Sequence, residues 1–410
     1  MNANHHTNHN HYTNQNHDTK RISQSFRRWG VALSVALTLS HCSVIPDIEK
    51  PKAADLLAQL LLGSGSNRIG VVSSDLGPTG RFSTMHPEGI ALPFFTSIHS
   101  DAMARFSNGY VYIINRLGRD SIQVLDPNRS YFTVSEYATG AASNPHDIVI
   151  AANGKGYISL YGKNNILVVE PLSGAVLGSV SLGQYADPDG IPEVSGLHAE
   201  GNRIFAAVQR LDETNPFATW PPADGYPSLL IEIDAATDSI VAVHTMPFSN
   251  PFSKIRKVNL FGQPHLVLAC PSWLGYNFRI DGAIIGFNLT TNSFVTLYTE
   301  AAAGGDLLDM VIKNDSVGYA SVLFQDFSTA IQQFNPATGA KTQDLIYAPS
   351  WSGNGGYVAG MVLTDDGKLY LGDNGYTDPG VTIYDTFGNI RLTPTPVSTG
   401  LRPTDLILIP

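Results

Sequence analysis

Acidic side chains recur at one position of the strands that the sequence predicts to be innermost in a repeated unit. Aligning these strands gives one column of residues: Asp101, Asp147, Gly196, Lys254, Asp309, Gly360 and Asp405. Its carboxylates and its ammonium would converge on the mouth of one channel. Such a cluster attracts a hard divalent cation such as Ca²⁺, which prefers oxygen ligands. In the alternative interpretation, each Asp accepts hydrogen bonds from backbone amides of the next unit and has a structural role.

Three histidines accompany this column. His99 and His146 flank two of the aspartates, and His198 follows Gly196. A metal ion held by such a set could polarise a carbonyl group and activate water. We therefore keep metal-assisted hydrolysis as a second hypothesis. The sequence specifies no cofactor beyond this candidate divalent cation.

Several other chemistries have no motif in this chain. The nucleophile elbow G-x-S-x-G, the zinc motif H-E-x-x-H and the phosphate-binding G-x-x-x-x-G-K-[ST] are all missing. The two cysteines are too few for a disulfide framework or a cysteine-based zinc site. Cys270 follows the apolar residues Val267–Ala269, so we predict a buried and inert thiol.

A long insertion, Leu211–Pro227, is the best candidate for a partner surface. It interrupts one unit between two strands, and long loops of this kind are often functional. The alternative is that its rings fold back and cover the edge of the unit. The candidate contact residues are aromatic types favoured at binding hot spots: Phe217, Trp220, Tyr226, Trp273 and Tyr276.

The candidate residues lie within a pattern of recurring β-hairpins. In each hairpin an apolar, alternating run ends on an acidic or amide residue, and a polar turn follows. The residues that open the turns are Asp126, Glu170, Asp234, Asn288, Asn335 and Asp385. The residues that close them tolerate the left-handed conformation of such turns: Gly174, Asp238, Asn292, Gly339 and Asn389. We expect each opening residue to bond to the backbone of its own turn.

A further strand pair precedes each hairpin, so each unit has four short strands. Ala151–Tyr157 and Thr364–Tyr370 carry the clearest turns of this inner pair. Four-stranded units spaced by roughly 45 to 58 residues are typical of β-propeller blades. Six complete units start near Ser100, Asn144, Val194, Phe252, Asp306 and Gly356.

A seventh unit is split between the two ends of the repeat region. Arg402–Ile409 repeats the innermost strand Pro145–Ile150 but lacks an outer hairpin, which Gly70–Asp75 and Gly80–Thr84 can supply. Pairing the two ends removes the exposed sheet edges of an open stack. The sequence therefore predicts an all-β, seven-bladed propeller over residues 67–410, with its last blade closed by N- and C-terminal strands.

One of these units resembles a YVTN-type β-propeller repeat. The segments that carry the resemblance are Asn144–Val149, Gly154–Ser159, Asn164–Val169 and Ser173–Gly183. The likeness extends loosely over residues 67–410, and the unit that starts at Val194 departs from it through its insertion. The resemblance implies a seven-bladed, secreted or periplasmic protein. Relatives include lactonase-like proteins and surface-layer or adhesion modules, so the alternative function is a metal-dependent lactonase-like hydrolase that uses the acidic channel mouth.

The first 41 residues predict an export signal. A His- and Asn-rich start and four basic residues precede a short apolar run, Val31–Leu39, which is the layout of a signal peptide. The sequence Leu39-Ser-His-Cys42 resembles a bacterial lipobox, although His41 stands where the pattern has Gly, Ala or Ser. We expect lipidation at Cys42, a tether over residues 42–66 and an outer-membrane or cell-surface location in a Gram-negative or spirochaete-like bacterium.

Composition narrows the partners. The chain has 25 basic and 35 acidic residues, a net charge of −10, which argues against a nucleic-acid partner. It has no apolar stretch long enough to span a bilayer as a helix. Our first hypothesis is a lipid-anchored extracytoplasmic module that binds a protein or a small-molecule ligand and catalyses no reaction.

Overall fold

A computed structural model describes residues 67–212, 221–274, 278–349, 356 and 359–410. In this part of the chain, 28 β-strands form seven four-stranded antiparallel sheets. Each sheet is one blade of a seven-bladed β-propeller, and one strand of each blade lies innermost, beside the channel. The predicted signal peptide, Cys42 and the tether lie outside the described residues.

The strands follow one another from the channel outward in every blade. Blade 1 contains β28 (Arg402–Ile409), β1 (Arg68–Ser74), β2 (Gly80–His86) and β3 (Ile90–Ile98). Blade 2 contains β4 (Ala102–Ser107), β5 (Tyr110–Asn115), β6 (Ser121–Asp126) and β7 (Phe132–Ala138). Blade 3 contains β8 (Pro145–Ile150), β9 (Gly156–Leu160), β10 (Asn165–Val169) and β11 (Val176–Ser181). Blade 4 contains β12 (Val194–Glu200), β13 (Arg203–Val208), β14 (Leu229–Asp234) and β15 (Ser239–Thr245).

The last three blades have the same order. Blade 5 contains β16 (Arg256–Leu260), β17 (Gln263–Cys270), β18 (Ala283–Asn288) and β19 (Ser293–Thr299). Blade 6 contains β20 (Asp306–Asn314), β21 (Val317–Leu323), β22 (Thr329–Asn335) and β23 (Ala340–Ala348). Blade 7 contains β24 (Ala359–Leu363), β25 (Lys368–Asp373), β26 (Gly380–Asp385) and β27 (Ile390–Arg391). The helices of the described residues are two short 3₁₀ turns, Pro127–Arg129 and Gly183–Tyr185, and α1 (Glu300–Ala303). No helix in the described ranges has the length and apolar character needed to cross a membrane.

The two ends of the repeat region close the ring, as predicted. Strand β28 pairs antiparallel with β1, from Arg68 opposite Ile409 to Ser74 opposite Arg402. The N-terminal part supplies three strands of this blade, because Ile90–Ile98 adds a third strand to the hairpin that the sequence predicted. Closure therefore leaves no blade without a neighbour on either side.

The core lies between the blades and consists of apolar residues from their inner and middle strands. The last six residues of β17, His265–Cys270, are all buried, which explains their nearly continuous apolar character. In the outermost strand β15, by contrast, exposed and half-buried residues alternate. Cys270 is fully buried, and burial raises the pKa of its thiol.

The hairpin turns adopt the predicted local structure. The residues that close the turns, for example Asp238 with φ 55° and Asn292 with φ 52°, are left-handed. The opening residues accept hydrogen bonds from their own turns, as the Asp234 carboxylate does from the Ala236 amide at 2.8 Å. These residues therefore have the structural role expected of them.

Buried tyrosines connect each of several blades to the next. The Tyr319 hydroxyl of blade 6 donates to Asn389 Oδ1 in a turn of blade 7, at 2.7 Å. The Tyr370 hydroxyl of blade 7 donates to the Pro87 carbonyl in blade 1, at 2.9 Å. Tyr157 of blade 3 makes the equivalent bond to a turn of blade 4. These bonds fix the outer turns of neighbouring blades relative to one another.

Candidate functional site

Three aspartates occupy one register position in three innermost strands. Asp147 lies in β8, Asp309 in β20 and Asp405 in β28, and the strand pairing shifts register directly beside each of them. At each of these irregularities the carboxylate accepts a hydrogen bond from a backbone amide. Asp147 and Asp309 each accept a hydrogen bond from the following amide, of Ile148 and Met310, at 2.9 Å.

Two of these aspartates also bond to the next blade. The Leu197 amide of blade 4 donates to Asp147 Oδ2 at 2.9 Å. The Ala104 amide of blade 2 donates to Asp405 Oδ2 at 2.9 Å. These are the bonds that the structural interpretation of the acidic column predicts.

Each aspartate also pairs with a cation. Arg105 Nε lies 2.6 Å from Asp147 Oδ1, and Arg256 Nη2 lies 3.1 Å from Asp309 Oδ2. The Lys254 ammonium contacts Asp405 Oδ1 at 2.7 Å. We call these six residues the channel cluster: Arg105, Asp147, Lys254, Arg256, Asp309 and Asp405.

The three cations of the channel cluster end on equivalent backbone carbonyls. Arg105 donates to the carbonyl of Leu197 and Arg256 to that of Met361, both at 3.2 Å. Lys254 donates to the Ala104 carbonyl at 3.0 Å. In each case the carbonyl belongs to the blade that follows the aspartate. Each ion pair, together with its carbonyl acceptor, therefore links three blades beside the channel.

Burial and charge oppose each other in the cluster. Burial favours the neutral form of Lys254 and holds its pKa below the usual value, although Asp405 opposes this effect. Burial also opposes the charge of Arg105, but Asp147 outweighs it and raises the pKa of Arg105 above the usual value. Only 4% of the Asp147 side chain and 6% of the Asp405 side chain are exposed, so these two carboxylates are well shielded from solvent.

Asp101 does not belong to this cluster. It lies in the loop before β4, where Arg116 Nε contacts its Oδ1 at 3.1 Å. Met103 takes its place in the column, because Met103 precedes Ala104 as Gly196 precedes Leu197, and both following amides bond to an aspartate. The predicted ring of four carboxylates is therefore a balanced set of three carboxylates and three cations.

The two glycines of the column lie against the backbone of a neighbouring blade. A Cβ atom on Gly360 would lie 2.5 Å from the Leu406 amide nitrogen and 3.1 Å from Asp405 Oδ1. Gly360 therefore allows the close approach of blade 7 to Asp405. Gly196 directly precedes Leu197 and faces the backbone of Ser253.

The three histidines do not gather around a common centre. The His146 ring stacks on Tyr161 with centroids 4.2 Å apart, and burial holds its pKa well below the usual value. His198 Nε2 lies 3.6 Å from Glu200, and burial lowers its pKa as well. His99 Nδ1 lies 3.2 Å from the Asp101 amide. Within the described ranges, no group of three His, Cys, Asp or Glu residues could hold a metal ion.

A cavity of about 670 Å³ opens at the end of the channel where β16, β20, β24 and β28 finish. Its walls include apolar side chains such as Phe106, Val258 and Leu408. Its charged lining residues are five cations and one carboxylate: Arg105, Lys254, Arg256, Lys257, Lys313 and Asp365. We call this space the mouth cavity.

Sequence reasoning missed Arg105 and Arg256. The sequence does contain a signal for both residues. Each is a basic residue in a strand predicted to be innermost, and each directly follows the residue that faces an aspartate or a glycine of the preceding blade. Arg105 also interrupts the otherwise apolar run Ala102–Phe106. A buried cation at such a position requires a carboxylate partner nearby.

The candidate partner surface is described only in part. The insertion does lie between β13 and β14, and Leu211 bridges to Pro222. Tyr226 is 37% exposed and has the Arg210 guanidinium 5.9 Å from its ring centroid. The Arg279 guanidinium lies 4.0 Å from the ring centroid of Trp273. Phe217, Trp220 and Tyr276 lie outside the described residues.

Comparisons with solved structures agree with the fold. The dihydro-heme d1 dehydrogenase NirN, solved in complex with DHE, is similar with a TM-score of 0.55 and 14% identity, over 83% of this chain and 75% of that one. A candidate 6-phosphogluconolactonase from Bacteroides fragilis gives a TM-score of 0.54 and 15% identity, over 85% and 99% of the two chains. Apo AztD from Citrobacter koseri gives 0.50 and 12%, over 84% and 98%.

These identities are too low to carry more than the fold. No protein-family model and no curated protein sequence matches the chain. The class that the structure defines is therefore a seven-bladed β-propeller with a charge-balanced channel. Its function rests on the site itself.

Proposed function

We propose that this protein is an extracytoplasmic, lipid-anchored β-propeller that binds a small-molecule ligand in the mouth cavity and catalyses no reaction. The observation that carries the proposal is that the channel cluster is internally paired and the mouth cavity is open to a ligand. The carboxylates of the channel cluster are occupied by its cations and by backbone amides, whereas the mouth cavity, which the three cations also line, remains open.

The channel cluster has the features of a structural element. Its carboxylates already accept hydrogen bonds from a cation, and all three also accept from a backbone amide. A general base or a metal ligand needs a lone pair that is free to act on the substrate or the ion. Removing a carboxylate from such a pair would leave a shielded cation without its partner, which is costly.

The mouth cavity has the dimensions of a ligand site. Ligand pockets commonly have volumes of about 300 to 1,000 Å³, with apolar walls and a few polar groups that orient the ligand. At about 670 Å³, with cationic and apolar side chains in its lining, the cavity fits that description.

The alternative function, a metal-dependent lactonase-like hydrolase, has less support. The likeness to a candidate 6-phosphogluconolactonase concerns the fold at 15% identity. The hydrolase would need Asp147, Asp309 and Asp405 as ligands for the metal. In the channel cluster these three carboxylates already form ion pairs. The ion pairs would have to break before a metal could bind.

The address in this proposal comes from the sequence. The lipobox-like Leu39–Cys42 and the basic and apolar segments before it support export and lipidation. We also propose assignment to the YVTN type, which rests on the sequence segments Asn144–Val149 and Gly154–Ser159. An exported ligand-binding propeller on a lipid anchor would present its cavity to solutes outside the cytoplasm.

A cavity-filling variant tests the proposed function. Val258→Trp places a large side chain in the wall of the mouth cavity, and Val241→Trp, on the 55% exposed position of β15, is its control. Melting temperatures are measured with a panel of small metabolites, because a ligand that binds only the folded state raises them. We expect ligands to stabilise the wild type and the control and not Val258→Trp. Ligands that stabilise all three equally, or a lactone hydrolysis that chelation abolishes, would contradict the proposal.

A further inference from the structure

The lining of the mouth cavity is cationic in a protein that is acidic as a whole. The cavity presents five cations and only one carboxylate, Asp365. The entire chain, by contrast, has 25 basic and 35 acidic residues. The composition therefore does not account for the excess of positive charge at this place.

The ion pairs of the channel cluster are oriented relative to the cavity. Arg105, Lys254 and Arg256 line it, whereas their partners Asp147, Asp405 and Asp309 do not. The arginine side chains are 21% exposed and the Asp147 carboxylate only 4%. A molecule in the cavity thus meets the positive end of each pair first, and a cleft with low-dielectric walls concentrates that field.

Two further lysines are less constrained. Lys257 pairs with Glu200 at 2.7 Å, with both side chains more than a third exposed, and such pairs contribute little stability. The Lys313 ammonium lies 4.0 Å from the centroid of the exposed Phe387 ring, a contact that contributes little stability at an exposed site. Both ammonium groups can therefore turn toward an anion at little cost.

The cavity also offers apolar surface to a ligand body. The walls are lined by four half-buried apolar side chains: Phe106, Val258, Leu363 and Leu408. Phe387, which also lines the cavity, is 79% exposed. An inorganic anion would use only the cations. A molecule with both an apolar body and an acidic group would use the whole lining.

We infer that the mouth cavity binds a small organic anion, with an apolar or aromatic body and a phosphate, sulfonate or carboxylate group held by Lys257, Lys313 and the exposed side of Arg105 and Arg256. This inference rests on the proposed function and names the chemical class of its ligand. The acidic group lies at the lysines and arginines, and the body lies against Val258 and Leu408.

Calorimetric titration with a matched pair of probes tests the inference. 1-Naphthyl phosphate has the apolar body and a dianionic group, and 1-naphthol has the same body without the charge. We expect the phosphate to bind one-to-one and at least about tenfold more tightly than the naphthol, with an affinity that falls as salt is added.

Variants locate the binding. Lys257→Gln combined with Lys313→Gln should weaken naphthyl phosphate at least about tenfold, and Lys341→Gln, on the exposed strand β23, should leave it unchanged. Neither lysine belongs to the channel cluster, so we expect the variants to melt at the wild-type temperature. Equal melting temperatures then exclude misfolding as the cause of weaker binding.

The outcomes separate the two proposals. Equal affinities for the two probes, both lost in Val258→Trp, would overturn the anionic ligand and leave a ligand-binding cavity. Binding of the phosphate that the lysine variants do not weaken would also overturn the inference. The absence of saturable binding of either probe would overturn the inference together with the proposed role of the cavity.

Discussion

The Lys254 ammonium lies 2.7 Å from Asp405 Oδ1, although the two residues belong to blades 5 and 1. Arg105 and Arg256 each pair with an aspartate of the adjacent blade. Within the channel cluster, Lys254 and Asp405 are therefore the one pair that crosses the channel. Lys254 also donates to the Ala104 carbonyl of blade 2. The pair therefore links the closing strand β28 to the far side of the ring.

Removing the cation of this pair should destabilise the fold. Lys254→Met leaves the Asp405 carboxylate buried, and among the described residues only the Ala104 amide then still donates to it. We expect a loss of about 3 to 5 kcal/mol in the free energy of unfolding. Combining Lys254→Met with Asp405→Asn should cost less than the sum of the two single changes. Urea unfolding measures all three variants, with the exposed Lys341→Met as control. Additive losses would show that the two side chains do not interact.

Ring closure depends on the last strand. Deleting Leu401–Pro410 removes β28, exposes the edge of β1 and leaves Lys254 without its partner. We expect loss of the cooperative unfolding transition and aggregation, because an unpaired edge strand invites pairing between molecules. Deleting only Pro410, which follows β28, is the control. A long deletion that still melts cooperatively at the wild-type temperature would contradict the closure.

The sequence predicted the blades because each depends on local patterns. Alternating apolar runs and turn residues such as Asp238 are readable from adjacent residues, and the blade shared by the two ends follows from the repeat, because Arg402–Ile409 lacks an outer hairpin of its own. The channel cluster depends on strand register, and here a displacement of two residues placed Asp101 in the column instead of Met103. Short irregularities beside Asp147 and Asp405 shift the register, and no local signal marks them.

The pairing of cations with the aspartates of the column could not be predicted from the sequence either. Lys254 and Asp405 are separated by about half the propeller, and only the closed ring brings them together. Arg256 follows Lys254 at a distance of two residues, yet the two cations reach different blades. Such pairings depend on the three-dimensional path of the innermost strands.

Because of two buried carboxyl groups, stability should fall as the pH rises from their unfolded pKa values to their folded ones, and the part of this fall between about pH 6.5 and 8 is the one to measure. Burial raises the pKa of Glu300 to about 8 and that of Asp306 to about 7. Their pKa values in the unfolded chain are near 4.5 and 3.8. The folded state therefore holds more protons in this range, and its stability decreases as the pH rises through the folded pKa values.

The variant Asp306→Asn isolates one of these groups. Among the described residues Asp306 Oδ1 has no hydrogen-bond partner, so the neutral amide should be tolerated. We expect a shallower fall of the unfolding free energy with pH than in the wild type. The histidines whose pKa burial lowers, such as His146, affect stability mainly below about pH 6.5 and lie outside this window. A flat or rising wild-type profile would contradict the prediction.

The proposed anchor requires the Cys42 thiol. Cys42→Ala should abolish incorporation of labelled palmitate and move the protein from the membrane fraction to the soluble fraction. Cys270→Ala is the control, because that thiol is buried in blade 5. Palmitate labelling that persists in Cys42→Ala, or wild-type protein that takes up no label, would exclude lipidation at this residue.

In our proposal the channel cluster holds the blades together and does not bind a metal ion. Thermal melting of the wild type and of Asp147→Asn, each with a chelator and with calcium, distinguishes these two roles. We expect the wild type to melt at the same temperature in both conditions. We expect Asp147→Asn to lose about 1 to 3 kcal/mol in both, because the Leu197 amide and Arg105 lose a charged acceptor. Calcium-dependent stabilisation of the wild type that disappears in Asp147→Asn would contradict the claim.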